Sequence, residues 1–181
     1  MSRTFNGSTQ YATVADNNLL DITGNITLAA WMNCTKTSFT TQRIMTKAIN
    51  GGSDGYELSL AVSGRVFFRI NQFTNADFYR LNSLTPYPIN GTAWMHVAAT
   101  YDGTTMKIYI NGVLDSSKAR TVTIVANTTP LSIGRDQGTG GAGQMWFGGQ
   151  IDEPRVYNRT LSAAEILALY QTKTFSGTTS T

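Results

Sequence analysis

The feature that most constrains this chain is its repeated alternation of short β-type runs with tight turn signals. Ile26-Thr27-Leu28-Ala29-Ala30-Trp31-Met32 places Ile26, Leu28, Ala30 and Met32 on one face and Thr27, Ala29 and Trp31 on the other. That period of two is a strand with an aliphatic side turned to a core. Tyr56 to Val62 alternates in the same way, Ser63-Gly64 turns it, and Arg65 to Ile70 returns. Trp94 to Tyr101 carries Met95, Val97 and Ala99 on one side and Trp94, His96 and Ala98 on the other. Asp102-Gly103 and Asn111-Gly112 are both expected to make type I′ turns, forming a meander through Met106–Ile110 into Val113-Leu114. Further strands are predicted at Tyr11–Val14, Arg43–Lys47, Phe78–Leu81, Val122–Val125, Leu131–Ile133 and Gln150–Tyr157. Many short strands at near-regular spacing favour two packed antiparallel sheets.

One helix follows the last strand. Ser162 with Glu165 three residues later is a capping box: the hydroxyl takes an orphan amide and the carboxylate reaches back to the cap residue's own N–H. Leu161 and Ile166 supply the hydrophobic staple, and Ile166, Leu169 and Tyr170 share one face. A helix this short is marginal in water and must dock against something. The segment Gly149 to Tyr170, with Phe5-Asn6-Gly7, Trp94 to Gly103, Tyr109-Ile110-Asn111-Gly112 and Leu131 to Gly134, resembles the laminin G-like, concanavalin A-like jelly rolls. Pro154 departs from the pattern where an aliphatic residue is usual. The resemblance implies an all-β, two-sheet antiparallel jelly-roll sandwich with one short C-terminal helix. It would occupy residues 1–173, followed by a polar tail, 174–181.

At 181 residues the chain fits one such domain. Charged residues make up 14%, against about 25% in an average domain, and Thr, Asn, Gly and Ser fill the polar positions instead. That composition suits a β-sandwich displayed outside cells or on particles. The net charge of +3 is scattered, which argues against a nucleic-acid stripe. Cys34 is the only cysteine, so no intrachain disulfide can form, and it is expected to be an ordinary buried thiol. No run of eighteen apolar residues exists and no signal-peptide pattern precedes Thr4-Phe5-Asn6-Gly7. The expectation is either a virion component or a module of a longer secreted chain, with the tail held by a neighbouring subunit or by the domain's own surface.

Acid–base chemistry finds little support. β-Glucan-cleaving relatives of this fold use Glu-x-Asp-x-x-Glu on one strand, which can aim two carboxylates about 5 Å apart at one sugar ring. The nearest run is Gln150-Ile151-Asp152-Glu153-Pro154-Arg155, with Gln150 and Arg155 where both glutamates belong. His96, the single histidine, sits inside a strand and reads as structural; no His/Cys cluster suggests zinc. Gly138 to Gly143 lacks the lysine and following helix of a phosphate loop. Calcium is a candidate at Asp152, because the resemblance implies that jelly rolls of this kind often bind it, through six to eight oxygen ligands.

Glycan recognition needs an aromatic platform with planar donors and acceptors around it. Tyr79, Arg80, Tyr87, Arg135, Asp136 and Trp146 lie in or beside loops and are the candidates, set against simple packing under the corners. The expected function is a non-catalytic, surface-displayed adhesion or glycan-binding module, part of a larger assembly such as a phage virion or a homo-oligomer. A purely structural decoration subunit without a glycan ligand is the alternative, and a glycoside hydrolase the third.

Overall fold

The computed structural model describes residues 2–35, 40–88, 93–138 and 143–173. The polar tail, 174–181, and the middle of the glycine-rich run, 139–142, lie outside the described residues. Among the described residues, twelve strands form two six-stranded antiparallel sheets. In spatial order the first sheet is β1 (Arg3–Asn6), β12 (Gly148–Tyr157), β3 (Ile26–Cys34), β8 (Met95–Tyr101), β9 (Thr105–Ile110) and β10 (Val113–Ala119). The second is β2 (Ala12–Val14), β11 (Leu131–Ile133), β4 (Gln42–Ile49), β5 (Ser53–Leu60), β6 (Arg65–Ile70) and β7 (Arg80–Pro86). A one-turn helix, α1 (Gln72–Asn75), follows β6, and α2 (Ala163–Gln171) closes the domain.

The alternation read from the sequence sets the layers. Ile26, Leu28, Ala30 and Met32 face Leu58, Leu60, Val66, Phe68 and Ile70 of the other sheet across one core, with Met95, Val97 and Ala99 beside them. The opposite face of β3 and β8 is buried as well, because α2 lies on it. Ala29, Ala98, Tyr109, Leu161 and Ile166 form a second, smaller core there, and Tyr170 stacks on Trp31 at 5.4 Å. Both halves of the capping box are present, Glu165 N–H donating to Ser162 Oγ and Ser162 N–H to Glu165 Oε2. Cys34 is buried and free of any disulfide.

Three local expectations need correcting. Asp102-Gly103 is not a type I′ turn: the connection is three residues long, and only Gly103 has positive φ. The Asp102 carboxylate shapes this loop by accepting the Thr104 and Thr105 N–H groups. Asn111-Gly112, by contrast, has φ of 49° and 81° and is the expected two-residue turn. Val122–Val125 joins no sheet, the amides of Val122, Ile124 and Val125 being taken by the Tyr101 hydroxyl, the Thr23 carbonyl and the Asn71 side chain. The strand expected at Phe78–Leu81 begins instead at Arg80. Pro154 explains its own departure from the family pattern. Lacking an N–H, it cannot pair regularly, so Glu153 and Pro154 bulge between the Asp152↔Trp31 and Arg155↔Ala29 pairs, with Glu153 at φ 46°.

β4 and β5 approach each other closely at one glycine. A Cβ on Gly55 would lie 2.0 Å from the Lys47 carbonyl oxygen, at φ +137°. Gly55→Ala is therefore expected to cost about 1–3 kcal/mol, read as a lower urea midpoint; an unchanged midpoint would show that the strands can separate freely.

Candidate functional site

Arg135 and Trp146 come together, joined by a residue that sequence reasoning placed only in a strand. Ile133 of β11 pairs with Ala12 of β2, so Tyr11 and Arg135 emerge side by side at that sheet edge. Trp146, just ahead of β12, completes the group. The Arg135 guanidinium lies 3.5 Å from the centre of the Tyr11 ring and 5.4 Å from Trp146, and the two rings are 5.9 Å apart. Tyr11 is 37% exposed. Arg135 makes no ion pair among the described residues, and its Nε is buried without a hydrogen-bond partner. Cation–π contact with two rings fixes the guanidinium plane without neutralising its charge. No local pattern marks Tyr11, because its proximity to Trp146 is purely tertiary.

The other candidates separate. Tyr79 and Arg80 lie at the far edge of the same sheet, where Arg80 stacks 3.9 Å from the Phe67 ring and pairs with Asp77. The structure places Tyr87 and Asp136 in the interior. The Tyr87 hydroxyl accepts from Cys34 N–H at 2.8 Å and donates to the Ala93 carbonyl at 2.7 Å. Asp136 receives Arg43 at 2.9 Å and the N–H groups of Asn50 and Gly138. It begins a ladder of alternating charge across the outer face of the second sheet: Asp136, Arg43, Glu57, Arg69, Asp77, Arg80. Register builds the ladder, since Glu57 sits opposite Arg69 and Arg69 opposite Arg80.

All eleven carboxylates are occupied in this way. Besides the ladder, Asp16 and Asp21 hold Lys47, Asp54 holds Thr74, and Asp115 accepts from Leu84 and Thr85 N–H. Asp102 serves its own loop, Asp152 and Glu153 hold Lys173, and Glu165 holds Arg159. Burial pushes the Asp77 carboxyl up, but Arg69 and Arg80 outweigh it and hold it below the usual carboxylate range. Arg159 and then Ser162 bring Glu165 down to about 2. Asp152, the sequence's calcium candidate, has its carboxylate against the Lys173 ammonium and the Glu153 N–H. No group of three or more His, Cys, Asp or Glu side chains is arranged to hold a metal ion among the described residues. His96 is buried beside Trp31 and Tyr170, and burial brings it down to about 4, with Arg155 adding to the effect.

A family model described as the concanavalin A-like lectin/glucanases superfamily matches residues 6–167. The chain belongs to that superfamily. No curated protein matches it. Among solved structures, this lectin/glucanase-type domain is similar to the Ruminococcus gnavus IT-sialidase CBM40 bound to α2,3-sialyllactose, with a TM-score of 0.69 at 18% identity, covering 94% of this chain and 98% of that one. The botulinum neurotoxin serotype D ligand binding domain in complex with N-acetylneuraminic acid gives 0.71 at 20% identity over 95% of this chain. The binding domain of Paraclostridial Mosquitocidal Protein 1 gives 0.69 at 16% identity over 93%. The chain spans 42% of the length of each of these two toxin structures. At these identities the likeness is one of fold.

Proposed function

We propose that this domain is a non-catalytic glycan-binding module in which Tyr11, Arg135 and Trp146 form the surface that stacks against a sugar ring. The observation that carries the reading is the Tyr–Arg–Trp stack itself. Tyr11 from the start of the chain meets Arg135 and Trp146 on a preorganised aromatic surface whose cation has no carboxylate partner among the described residues. Aromatic faces bind the apolar side of a sugar and a fixed guanidinium supplies paired donors. The non-catalytic part is supported by the carboxylates: each is committed to a structural partner, and a general acid or base needs a carboxyl free to exchange its proton. The CBM40, matched over nearly its whole length, binds a sialylated sugar on the same fold. Display on a cell or particle surface belongs to the same proposal.

A glycan array probed with the labelled domain tests it. Binding to a restricted set of glycans is expected, weakened about tenfold or more in Trp146→Ala and in Tyr11→Ala. An array with no binding, or both variants binding as well as the parent, would overturn the proposal. The alternative, a structural subunit, draws on exposed Leu84, Val113 and Leu114 along the β7 and β10 edges. A symmetric oligomer burying Tyr11 and Trp146 between copies would favour it.

A further inference from the structure

A second concavity opens where the β8–β9 loop, the end of β10 and the residues ahead of β7 meet. Its volume is about 430 Å³, and Phe78, Tyr79, Thr104, Thr105, Arg120 and Thr121 line it with Ala119. Phe78 is 60% exposed, so its ring is open to solvent. Its neighbours hold it in place: the Tyr79 ring meets it edge-on at 4.9 Å, and the Arg120 guanidinium lies 4.9 Å from its centre. Arg120 is tethered by bonds from Nη1 to the Ala119 carbonyl at 3.0 Å and from Nε to the Phe78 carbonyl at 3.4 Å. A guanidinium carries five N–H donors, so those two bonds leave others for a ligand. Among the described residues Arg120 makes no ion pair and is the one charged side chain lining the concavity. The Thr104 and Thr105 rim is ordered by Asp102, which accepts both backbone N–H groups and the Thr104 hydroxyl and is absent from the lining.

We infer that this concavity is a second saccharide site, and that it takes an anionic sugar whose carboxylate or sulfate meets Arg120 while the ring lies against Phe78. The ligand class rests on the glycan-binding reading above; the site does not depend on Tyr11 or Trp146. Arg120 here and Arg135 at the first site share one arrangement, a guanidinium within 5 Å of an aromatic ring centre and without an ion pair among the described residues; Arg3 is more distant from its ring, 6.0 Å from Phe5, Arg65 donates to the Ser83 and Leu84 carbonyls, and Arg43, Arg69, Arg80, Arg155 and Arg159 are all paired with carboxylates. The two sites sit at opposite edges of the second sheet, ahead of β2 and ahead of β7. Five inter-strand steps put them roughly 24 Å apart, so one domain can grip two sugars of a multivalent surface and gain avidity.

Isothermal titration with α2,3-sialyllactose, sulfated lactose and plain lactose tests this. Two sugars per chain are expected for at least one anionic probe, with lactose about tenfold weaker or more because the charge-assisted bonds are lost. Whichever anionic probe binds identifies carboxylate or sulfate as the group recognised. Phe78→Ala, at an exposed position, and Arg120→Gln, at a half-buried one, should each reduce the stoichiometry to one without moving the thermal midpoint. Trp146→Ala should also leave one site, this one. A single site in the parent that survives Arg120→Gln overturns the inference and leaves the first site standing. Binding that survives Trp146→Ala but is lost in Arg120→Gln overturns the first site and keeps the second. Equal affinity for lactose overturns the anionic class.

Discussion

Arg43→Ala is expected to cost about 3–5 kcal/mol, which for a domain of this size corresponds to roughly 6–20 °C in thermal midpoint. Arg43 is fully buried and holds two carboxylates of similar burial, donating through Nε and Nη2 to Asp136 and through Nη1 to Ser59 Oγ at 3.1 Å while Nη1 also pairs with Glu57. Removing the guanidinium leaves a cavity, strips Asp136 of its counter-ion and leaves Glu57 with Arg69 alone, in a place water does not reach. A buried charge without a partner is far more costly than the pair itself is stabilising. The companion variant Arg43→Met, Glu57→Gln, Asp136→Asn should therefore recover most of the loss. Urea unfolding of both variants at neutral pH checks the claim; a loss below about 1 kcal/mol for Arg43→Ala would mean that solvent or other donors reach the two acids.

The second large effect is a pH dependence centred on His96. Its ring is 2% exposed, 5.3 Å from Trp31 and 6.2 Å from Tyr170, and Nδ1 has no hydrogen-bond partner. Burial first and Arg155 second hold it near 4, with Glu153 opposing. The folded value lies below the ordinary 6.5, so the unfolded chain binds the proton more tightly and stability rises with pH between the two values. The contribution is fully present above about pH 6.5 and is lost as pH falls towards 4, by roughly 3 kcal/mol in total. Carboxylates titrate in the same range, so the measurement is a difference: unfolding free energy across pH 4 to 7 for the parent and for His96→Gln. The variant should lose about 3 kcal/mol less on acidification. Parallel curves would show that His96 finds a way to charge without leaving its place under α2.

Legibility from sequence followed the range of the interactions. The α2 cap was readable because Ser162 and Glu165 are three residues apart and satisfy each other within one turn. The Asn111-Gly112 turn was readable because positive φ is a property of those two residues. Asp102-Gly103 carries the same dipeptide signal, yet a side-chain bond to Thr105 N–H lengthened that connection by a residue. Val122–Val125 has strand composition, but the partners that took its amides belong to loops and a tyrosine. For the site, Arg135 and Trp146 could be named as chemical types, while Tyr11, Phe78 and Arg120 could not be placed beside anything.

The amino-acid order by itself determined where most of the strands would form, which face of β3 and β8 would enter the core, and how the last helix would begin. These depend on period-two alternation and on bonds spanning a few residues. Only the tertiary structure decided which arginines keep their charge unpaired. Strand register sets Glu57 opposite Arg69, the fold brings Asp136 to Arg43 across 93 residues, and Arg120 and Arg135 are left against aromatic rings, because these contacts are set by distance in space and not by distance along the chain.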